Sequence, residues 1–292
     1  MARAIQDRRG THRRILEYAP DRPRLVAAIV AELTLENAAA LVVGAGQGIG
    51  RSVALALASE GADVTLAARR AGPLERLAAE VAEASGRRTS AVVADIADPS
   101  QGRAAVDATI QEFGRIDVVV NIATYGGGSV SVADLDWDDY LTAVQINVIG
   151  TMEICRSAAA HMASLGGGSI INVSALSATT LMADLSRYTS TKGAMESMSK
   201  TMAKEVGPSG VRVNIVTPGL TTGEPLSSMF ERMAEAQNRT PEEISDGFAR
   251  QAALRRHVDP DDIAQAVLFL ASSRSRNITG QEIQVTAGQH IM

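Results

Sequence analysis

Residues 38–50 read AAALVVGAGQGIG, an apolar run that leads into four glycines. The run from Ala38 to Val43 predicts a strand that is buried in a parallel sheet. The amphipathic segment from Ile49 to Glu60 predicts a helix directly after the glycines. Such a turn forms an anion site, because backbone N–H groups and the helix dipole favour negative charge. The stretch therefore predicts a site for the pyrophosphate of a dinucleotide; the alternative is a tight turn without a ligand.

The spacing of these glycines differs from the common dinucleotide fingerprint. G-x-G-x-x-G fails from either of the first two glycines, because Ile49 and Arg51 stand where the third glycine belongs. The pattern that fits is G-x-x-x-G-x-G, on Gly44, Gly48 and Gly50.

A second signal is the segment SRYTSTKGA, in which Tyr188 and Lys192 stand four apart. Residues at this spacing lie one turn apart on the same face of a helix. We therefore expect the Lys192 ammonium to lower the pKa of the Tyr188 phenol from its ordinary value of about 10. Such a phenol can exchange a proton with a substrate oxygen while hydride moves at carbon. The pair also has a structural interpretation, a half-buried tyrosine and a solvated lysine, and the glycine turn upstream favours the catalytic one.

The motifs resemble those of the short-chain dehydrogenase/reductase family over about residues 35–288. That family carries T-G-x-x-x-G-x-G after its first strand, and Val43 replaces the threonine here. Its N-N-A-G after the fourth strand matches in part at Asn121 and Ala123, after the strand-like run 116–120. An asparagine in the next helix matches Asn147.

Further family motifs follow in the expected order. They are the Y-x-x-x-K of Tyr188 and Lys192, a P-G at Pro218-Gly219 and a T-G at Thr279-Gly280. Strand-like and helix-like segments alternate from residue 38 to 286 without a linker, which predicts one α/β domain with a parallel sheet. The resemblance implies a doubly wound, Rossmann-like sheet with helices on both faces.

The resemblance also implies a catalytic group, which comprises Asn147, Ser174, Tyr188 and Lys192. Tyr188 would be the general acid in reduction and the general base in oxidation. Lys192 would lower the pKa of Tyr188 and hold the nicotinamide ribose. Asn147 would kink its helix and support a water that links Lys192 to solvent.

The serine of this group is the main departure from the family pattern. The family serine stands thirteen residues before the tyrosine, and that position is Ala175 here. Ser174 ends the preceding strand-like run and is favoured to orient the substrate oxygen. The alternatives are Ser177, a backbone group, or no serine in this role, with Ser174 only ending the strand.

The resemblance assigns a larger set of residues to the cofactor. They are Gly44, Gln47, Gly48, Ile49, Gly50, Arg69, Asp95, Ile96, Asn121, Ala123, Tyr188, Lys192, Pro218, Gly219 and Thr221. Asp95 would contact the adenine ring, and its alternative is a turn or N-cap aspartate. Gly223 stands where the family has a threonine near the nicotinamide amide, so Thr221 or Thr222 would replace it.

The preferred dinucleotide depends on the end of the second strand. NAD-specific relatives place an acid there for the ribose hydroxyls, and Ala68 occupies that position. Arg69 follows and is suited to a 2′-phosphate. Gln47 argues the other way, because NADP-dependent relatives often have a basic residue there. NADP(H) is favoured and NAD(H) is the alternative; solvated charge is the structural interpretation of Arg69 and Arg70.

The function that follows is hydride transfer between NADP(H) or NAD(H) and a small-molecule carbonyl or secondary alcohol. Two other functions stay open: a dinucleotide-binding dehydratase or epimerase, and a non-catalytic nucleotide sensor. Intact Tyr188, Lys192 and Asn147 argue against the sensor.

The composition excludes several other classes of protein. A net charge of −5 and a pI near 5.5 argue against a nucleic-acid binder. No apolar run approaches the length of a membrane span, and the four histidines show no metal spacing. The single cysteine, Cys155, predicts a core position and fits a reducing, cytoplasmic location.

Three regions fall outside the motifs. Residues 1–34 form an Arg-rich extension of unknown role, in which 25–33 fit a short amphipathic helix. Residues of about 220–257 correspond to a substrate lid, whose apolar side chains indicate an apolar or bulky substrate or else pack within the protein. The family also implies a homotetramer or homodimer, in which helices around 137–165 and 187–206 pack across an interface.

Overall fold

The computed structural model describes residues 35–291, which form a parallel sheet with helices on both faces. In this part of the chain the sheet has seven strands, in the order β3-β2-β1-β4-β5-β6-β7. The strands are β1 (Ala39–Val43), β2 (Asp63–Ala68), β3 (Thr89–Val93), β4 (Val118–Asn121), β5 (Gly168–Val173), β6 (Val211–Pro218) and β7 (Glu282–Val285). All neighbouring strands pair in parallel. The predicted doubly wound α/β fold is confirmed.

Helices connect the successive strands of the sheet. They are α1 (Ile49–Ser59), α2 (Ala71–Ser85), α3 (Pro99–Phe113), α4 (Trp137–Val144), α5 (Thr151–Ser164), α6 (Ser177–Thr180), α7 (Ser186–Val206), α8 (Glu224–Gln237), α9 (Pro241–Ala249) and α10 (Pro260–Ala271). A π-helical segment, Gln145–Gly150, joins α4 to α5. Asp259 forms a capping box at the start of α10, and Pro260 is its first helical residue.

The sheet separates two hydrophobic cores. Successive side chains of a strand point to opposite faces, so Ala40 and Val42 of β1 lie in one core and Leu41 and Val43 in the other. The first core includes α1, α2 and α10, and the second includes α3, α5 and α7. Cys155 is fully buried in the second core, as expected. This packing fixes the strand ends that carry the site.

The strand order reverses between β1 and β4, which are neighbours in the sheet. Val43 at the end of β1 is the register partner of Asn121 at the end of β4. The loops after these two strands therefore begin side by side. In sheets of this type, ligands bind in the crevice outside the carboxyl ends of the strands at this point.

The predicted N-terminal extension, residues 1–34, and its helix at 25–33 lie outside the described residues. Within residues 35–291, none of the helices combines the length and the apolar character that crossing a membrane requires. The same residues contain no group of three or more His, Cys, Asp and Glu side chains that is placed to hold a metal ion.

Candidate active site

The glycine turn between β1 and α1 brings backbone close to backbone. Gly44 has a φ of 86°, and a Cβ atom there would collide with the backbone nitrogen of Ala123. A Cβ atom on Gly50 would lie 2.7 Å from the Gly44 carbonyl oxygen. These two glycines are required by the packing of α1 and of the loop after β4, whether or not a ligand binds.

Gly48 differs from these two, because nothing lies within 4 Å of a Cβ built on it. It has a φ of 83° and is the N-cap of α1, so the N–H groups of the first turn are available to an anion. A cavity of about 240 Å³ opens here, lined on one side by Gln47, Gly48 and Arg51 and on the other by residues 259–261, which include two aspartates. The free helix end can receive an anion, and the pyrophosphate site stays a prediction.

Tyr188 and Lys192 lie on the first two turns of α7. The Lys192 Nζ atom lies 5.9 Å from the centroid of the Tyr188 ring and donates to the Val173 carbonyl oxygen at 2.9 Å. Burial lowers the pKa of Lys192 to about 8, and the negative charge of Glu196 acts in the opposite direction. At neutral pH the ammonium is therefore still charged.

The pKa of the half-buried Tyr188 moves opposite to the sequence-based expectation. Burial raises it, while a hydrogen bond with the side chain of Thr124 acts to lower it. Burial is the larger effect, and the Lys192 ammonium is directed to the Val173 carbonyl rather than to the phenol oxygen. The proximity of the two side chains is as expected, but the expected lowering of the phenol pKa is not found.

Asn147 lies fully buried in the π-helical segment, which is the distortion expected for its helix. Its Oδ1 atom accepts from the Tyr125 N–H at 2.7 Å and from the Thr124 hydroxyl at 3.1 Å. Its Nδ2 atom donates to the Tyr125 carbonyl at 2.9 Å and to the Thr191 hydroxyl at 3.0 Å. Asn147 thus ties the loop after β4 to α7.

Ser174 is buried, and its hydroxyl donates to the carboxylate of Glu196. Glu196 lies one turn after Lys192 on α7, and burial raises its pKa. Ser177, the alternative, is the first residue of α6 and is half-buried. Ser174 is thus engaged with Glu196, and its role at a substrate oxygen stays a prediction.

Comparison with known proteins identifies the family. A family model described as enoyl-(acyl carrier protein) reductase matches residues 44–290. An uncharacterized oxidoreductase of Methylorubrum extorquens is 36% identical over 259 residues, which cover 87% of this chain and 98% of the relative. A short chain dehydrogenase/reductase of Aspergillus oryzae is 32% identical and covers 88% of this chain and 96% of its own. The chain belongs to the short-chain dehydrogenase/reductase family.

Solved structures of dinucleotide complexes are similar to this short-chain dehydrogenase/reductase. L-sorbose reductase of Gluconobacter frateurii with NADPH and L-sorbose has a TM-score of 0.85 and 26% identity, and covers 89% of this chain and 100% of its own. NAD⁺-bound xylitol dehydrogenase has a TM-score of 0.81 and 27% identity, and covers 87% and 99%. The protein is an NAD(P)-dependent oxidoreductase that transfers hydride between the dinucleotide and a carbonyl or secondary alcohol.

The structure places the other predicted cofactor residues of this short-chain dehydrogenase/reductase around the carboxyl edge of the sheet. Arg69 is exposed directly after β2. Asp95 Oδ1 accepts from the Ala97 N–H at 3.0 Å, a turn contact that matches the structural alternative. Ile96 is buried beneath Gly150, where a Cβ atom would collide with the Ile96 carbonyl.

Asn121 lies inside the protein rather than in the open crevice. Its Nδ2 atom donates to Asn172 Oδ1 at 2.8 Å and to Cys155 Sγ at 3.3 Å. Its side chain therefore joins β4 to β5 and α5. Any contact between Asn121 and a cofactor would be made by its backbone.

The remaining predicted cofactor residues lie at the end of β6. Pro218 is its last residue, and the Thr221 hydroxyl donates to the Gly219 carbonyl at 3.0 Å. The Val258 N–H donates to the Leu220 carbonyl at 3.0 Å. The two ends of the predicted lid are therefore joined beside the site.

The predicted lid contains a small hydrophobic cluster of its own, formed by α8 and α9. Phe230 is buried there and stacks on Phe248, with 5.7 Å between ring centroids. Leu226 and Met229 pack in the same cluster. These apolar side chains have internal partners, so they do not by themselves indicate an apolar substrate.

Sequence reasoning missed three residues of the site, and each carried a weak signal. Thr124 stands at the fourth position of the partial N-N-A-G match, where a glycine is usual. Glu196 follows Lys192 by four residues, which predicts a shared helix face. Arg187 directly precedes Tyr188 in the sequence. In the structure it is buried and forms an ion pair with Asp139.

Proposed function

We propose that this enzyme is an NADP(H)-preferring ketoreductase or alcohol dehydrogenase in which Tyr188 is the general acid and base. When bound, the nicotinamide supplies hydride for reduction and accepts it in oxidation. Tyr188 gives its proton to the substrate oxygen in reduction and removes it in oxidation. The supporting observation is that Tyr188 and Lys192 lie side by side on α7, which Asn147 ties to the loop after β4, beside the glycine turn.

Lys192 has two tasks in this proposal. Its buried ammonium keeps a positive charge near the Tyr188 ring at neutral pH, which favours the phenolate once the proton has left. The same group would hold the hydroxyls of the nicotinamide ribose. Asn147 positions the loop after β4 against α7 and so fixes the site around both side chains.

The preference for NADP(H) rests on the end of β2. Ala68 leaves the 2′-position of the adenosine ribose without a carboxylate, and Arg69 is exposed next to it. The Arg69 side chain forms no ion pair or hydrogen bond with another residue of the described range 35–291. A guanidinium without a partner among these residues is available for a 2′-phosphate, to which it can make two parallel hydrogen bonds.

Proton transfer by Tyr188 is tested by Tyr188→Phe, with Tyr140→Phe as the matched control. Tyr140 is a half-buried phenol on α4 whose oxygen accepts from Ser190 at 3.3 Å. NADPH-dependent reduction of a ketone found by screening should fall at least about a hundredfold in Tyr188→Phe, and NADPH affinity should hardly change. Tyr140→Phe should stay active. A fully active Tyr188→Phe enzyme would refute the assignment.

The proposed homo-oligomer uses the helices predicted to form an interface. Trp137 and Leu141 on α4 are 65% and 60% exposed, and Met198 on α7 is 45% exposed. Exposed large apolar side chains on neighbouring helices are typical of an interaction surface. Sedimentation equilibrium should give a dimer or tetramer, and Trp137→Glu with Leu141→Glu should dissociate it. We also infer a cytoplasmic location, which the free, buried Cys155 supports.

A further inference from the structure

Arg187 is a buried charged residue in the first turn of α7, directly before Tyr188. Only 3% of it is exposed, and its guanidinium forms an ion pair with Asp139 on α4. The same guanidinium donates to the Gly126 carbonyl at 3.3 Å and to the Gly128 carbonyl at 2.9 Å. One side chain therefore joins α7 both to α4 and to the loop after β4.

The glycine tip of this loop depends on Arg187. Gly126 and Gly128 are exposed, and in the described part of the chain no other hydrogen bond reaches their carbonyl oxygens. Asn147 holds the start of the loop, through the backbone of Tyr125. Beyond that point the guanidinium is what fixes the two glycine carbonyls.

Asp139 has a second partner in the same loop. The Tyr125 hydroxyl donates to its Oδ1 atom at 2.6 Å, and the Arg187 guanidinium carbon lies 5.8 Å from the centroid of the Tyr125 ring. The Asp139 side chain is half-buried, whereas Arg187 is enclosed. The three side chains thus form one network, with the arginine at its centre.

The first turn of α7 lacks a side-chain cap. Its N-cap residue is Leu185, which makes no capping hydrogen bond through its side chain. The first N–H groups of a helix have no partner within the helix, and helix ends open more easily than their interiors. Tyr188 is the third residue of α7, so the position of its phenol depends on this turn. Arg187 ties the turn to its surroundings where a cap is missing.

We propose that Arg187 is a positioning residue that holds the Tyr188 phenol in place for proton transfer to and from the substrate oxygen. This role rests on the proposed function of Tyr188. The Arg187 guanidinium is enclosed by α4, α7 and the loop after β4, so it exchanges no proton with the substrate. It acts on the rate, because a displacement of about 1 Å in a catalytic group can slow a reaction about a hundredfold.

The test compares Arg187→Gln with Arg156→Gln in the full-length protein. Arg156 is 70% exposed and pairs with Glu153 on α5, so its substitution removes the same charge at the surface. Reduction of a ketone is measured per mole of bound NADPH, so that unfolded protein is not counted. In Arg187→Gln the kcat should fall about tenfold to a hundredfold while the affinity for NADPH hardly changes. Arg156→Gln should keep the wild-type kcat.

Two further measurements separate positioning from a general loss of stability. A displaced phenol slows proton transfer relative to hydride transfer, so the solvent deuterium isotope effect on kcat should be larger in Arg187→Gln than in the wild type. Arg187→Lys restores a charge for Asp139 but not the planar fork that reaches two carbonyls, so its kcat should lie between the two. If Arg187→Gln does not fold, Asp139→Asn is measured against Asp138→Asn, its exposed neighbour on α4, and the same pattern is expected.

Two outcomes overturn the role of Arg187. One is a wild-type kcat in the folded variant that breaks the ion pair. The other is a loss of kcat that comes with an equal loss of NADPH affinity and an unchanged isotope effect, because the whole site would then be disturbed. A failure of the proposed function looks different, since Tyr188→Phe would then retain ketone reduction with NADPH. Loss of that activity in Tyr188→Phe, together with a wild-type kcat in Arg187→Gln, removes only the role of Arg187.

Discussion

The guanidinium of Arg187 fills the space that a side chain on Gly127 would occupy. Arg187 is only 3% exposed, forms an ion pair with Asp139 and donates to the Gly128 carbonyl at 2.9 Å. Because Arg187 immediately precedes Tyr188, one side chain fixes both the loop after β4 and the start of α7. The position of the proposed acid and base therefore depends on a loop that sequence motifs do not describe.

Gly127→Ala should disturb this arrangement more than Gly128→Ala. Both glycines have a positive φ, 68° and 79°, so both alanines carry a similar backbone strain of about 1–2 kcal/mol. Only the Gly127 Cβ would meet Arg187; a Cβ on Gly128 has nothing within 4 Å. The loss of unfolding free energy in urea should be larger for Gly127→Ala by about 1 kcal/mol or more, since the ion pair between buried Arg187 and half-buried Asp139 is displaced. Equal losses would show that Arg187 adapts without cost.

The glycine turn offers a similar pair of variants. Gly44→Ala places a Cβ against the Ala123 backbone and should lower the melting temperature whether or not a cofactor is present. Gly48→Ala meets open space, so it should cost only the strain of a φ of 83° and leave the fold intact. If the pyrophosphate binds there, Gly48→Ala should weaken NADPH binding about tenfold or more in a fluorescence titration. Gly46→Ala is the control, because a Cβ there meets no atom within 4 Å and the φ of Gly46 is not positive. Unchanged affinity in Gly48→Ala would place the phosphates elsewhere.

The sequence predicts the frame of this site because local rules determine it. The apolar run of β1, the glycines before α1 and the capping box at Asp259 each act over a few residues. Tyr188 and Lys192 are found for the same reason, since a helix places residues four apart on one face. These predictions need no knowledge of which loops meet.

The partners of the site residues depend on contacts between distant segments. Ser174 and Glu196 meet because β5 ends beside α7, and Arg187 meets Gly128 because the loop after β4 crosses the start of the same helix. No periodicity encodes such pairs, and several residues compete for each partner. The same lack of information explains the pKa of Tyr188, because burial raises it and the burial depends on which segments pack around the phenol.

Arg69→Ala should separate the two dinucleotides. Loss of a charge-assisted hydrogen bond to a 2′-phosphate costs about 1.5–3 kcal/mol, which is about a tenfold to hundredfold loss of NADPH affinity. NADH has no such phosphate, so its affinity should change little. Arg70→Ala is the control, because Arg70 is also exposed and is the N-cap of α2. An equal loss for both dinucleotides would exclude the phosphate contact.

Lys192 should make the stability of the fold depend on pH above neutrality. Burial lowers its pKa to about 8 in the folded protein, whereas an unfolded lysine keeps an ordinary pKa of about 10.4. Between these values the unfolded chain binds the extra proton, so this residue makes unfolding less favourable as pH rises. Below about pH 8 both states are charged and the cost of burying the ammonium is present in full.

Lys192→Met removes this cost, so its stability relative to the wild type should be greatest near pH 7 and should decline as pH rises past about 8. Urea unfolding at several pH values between about 7 and 9.5 measures the difference. Lys204→Met, at an exposed lysine in the last turn of the same helix, should show no such trend. The difference in unfolding free energy between Lys192→Met and the wild type could instead stay constant over this range. The buried ammonium would then keep its proton, and its charge beside Tyr188, well above pH 8.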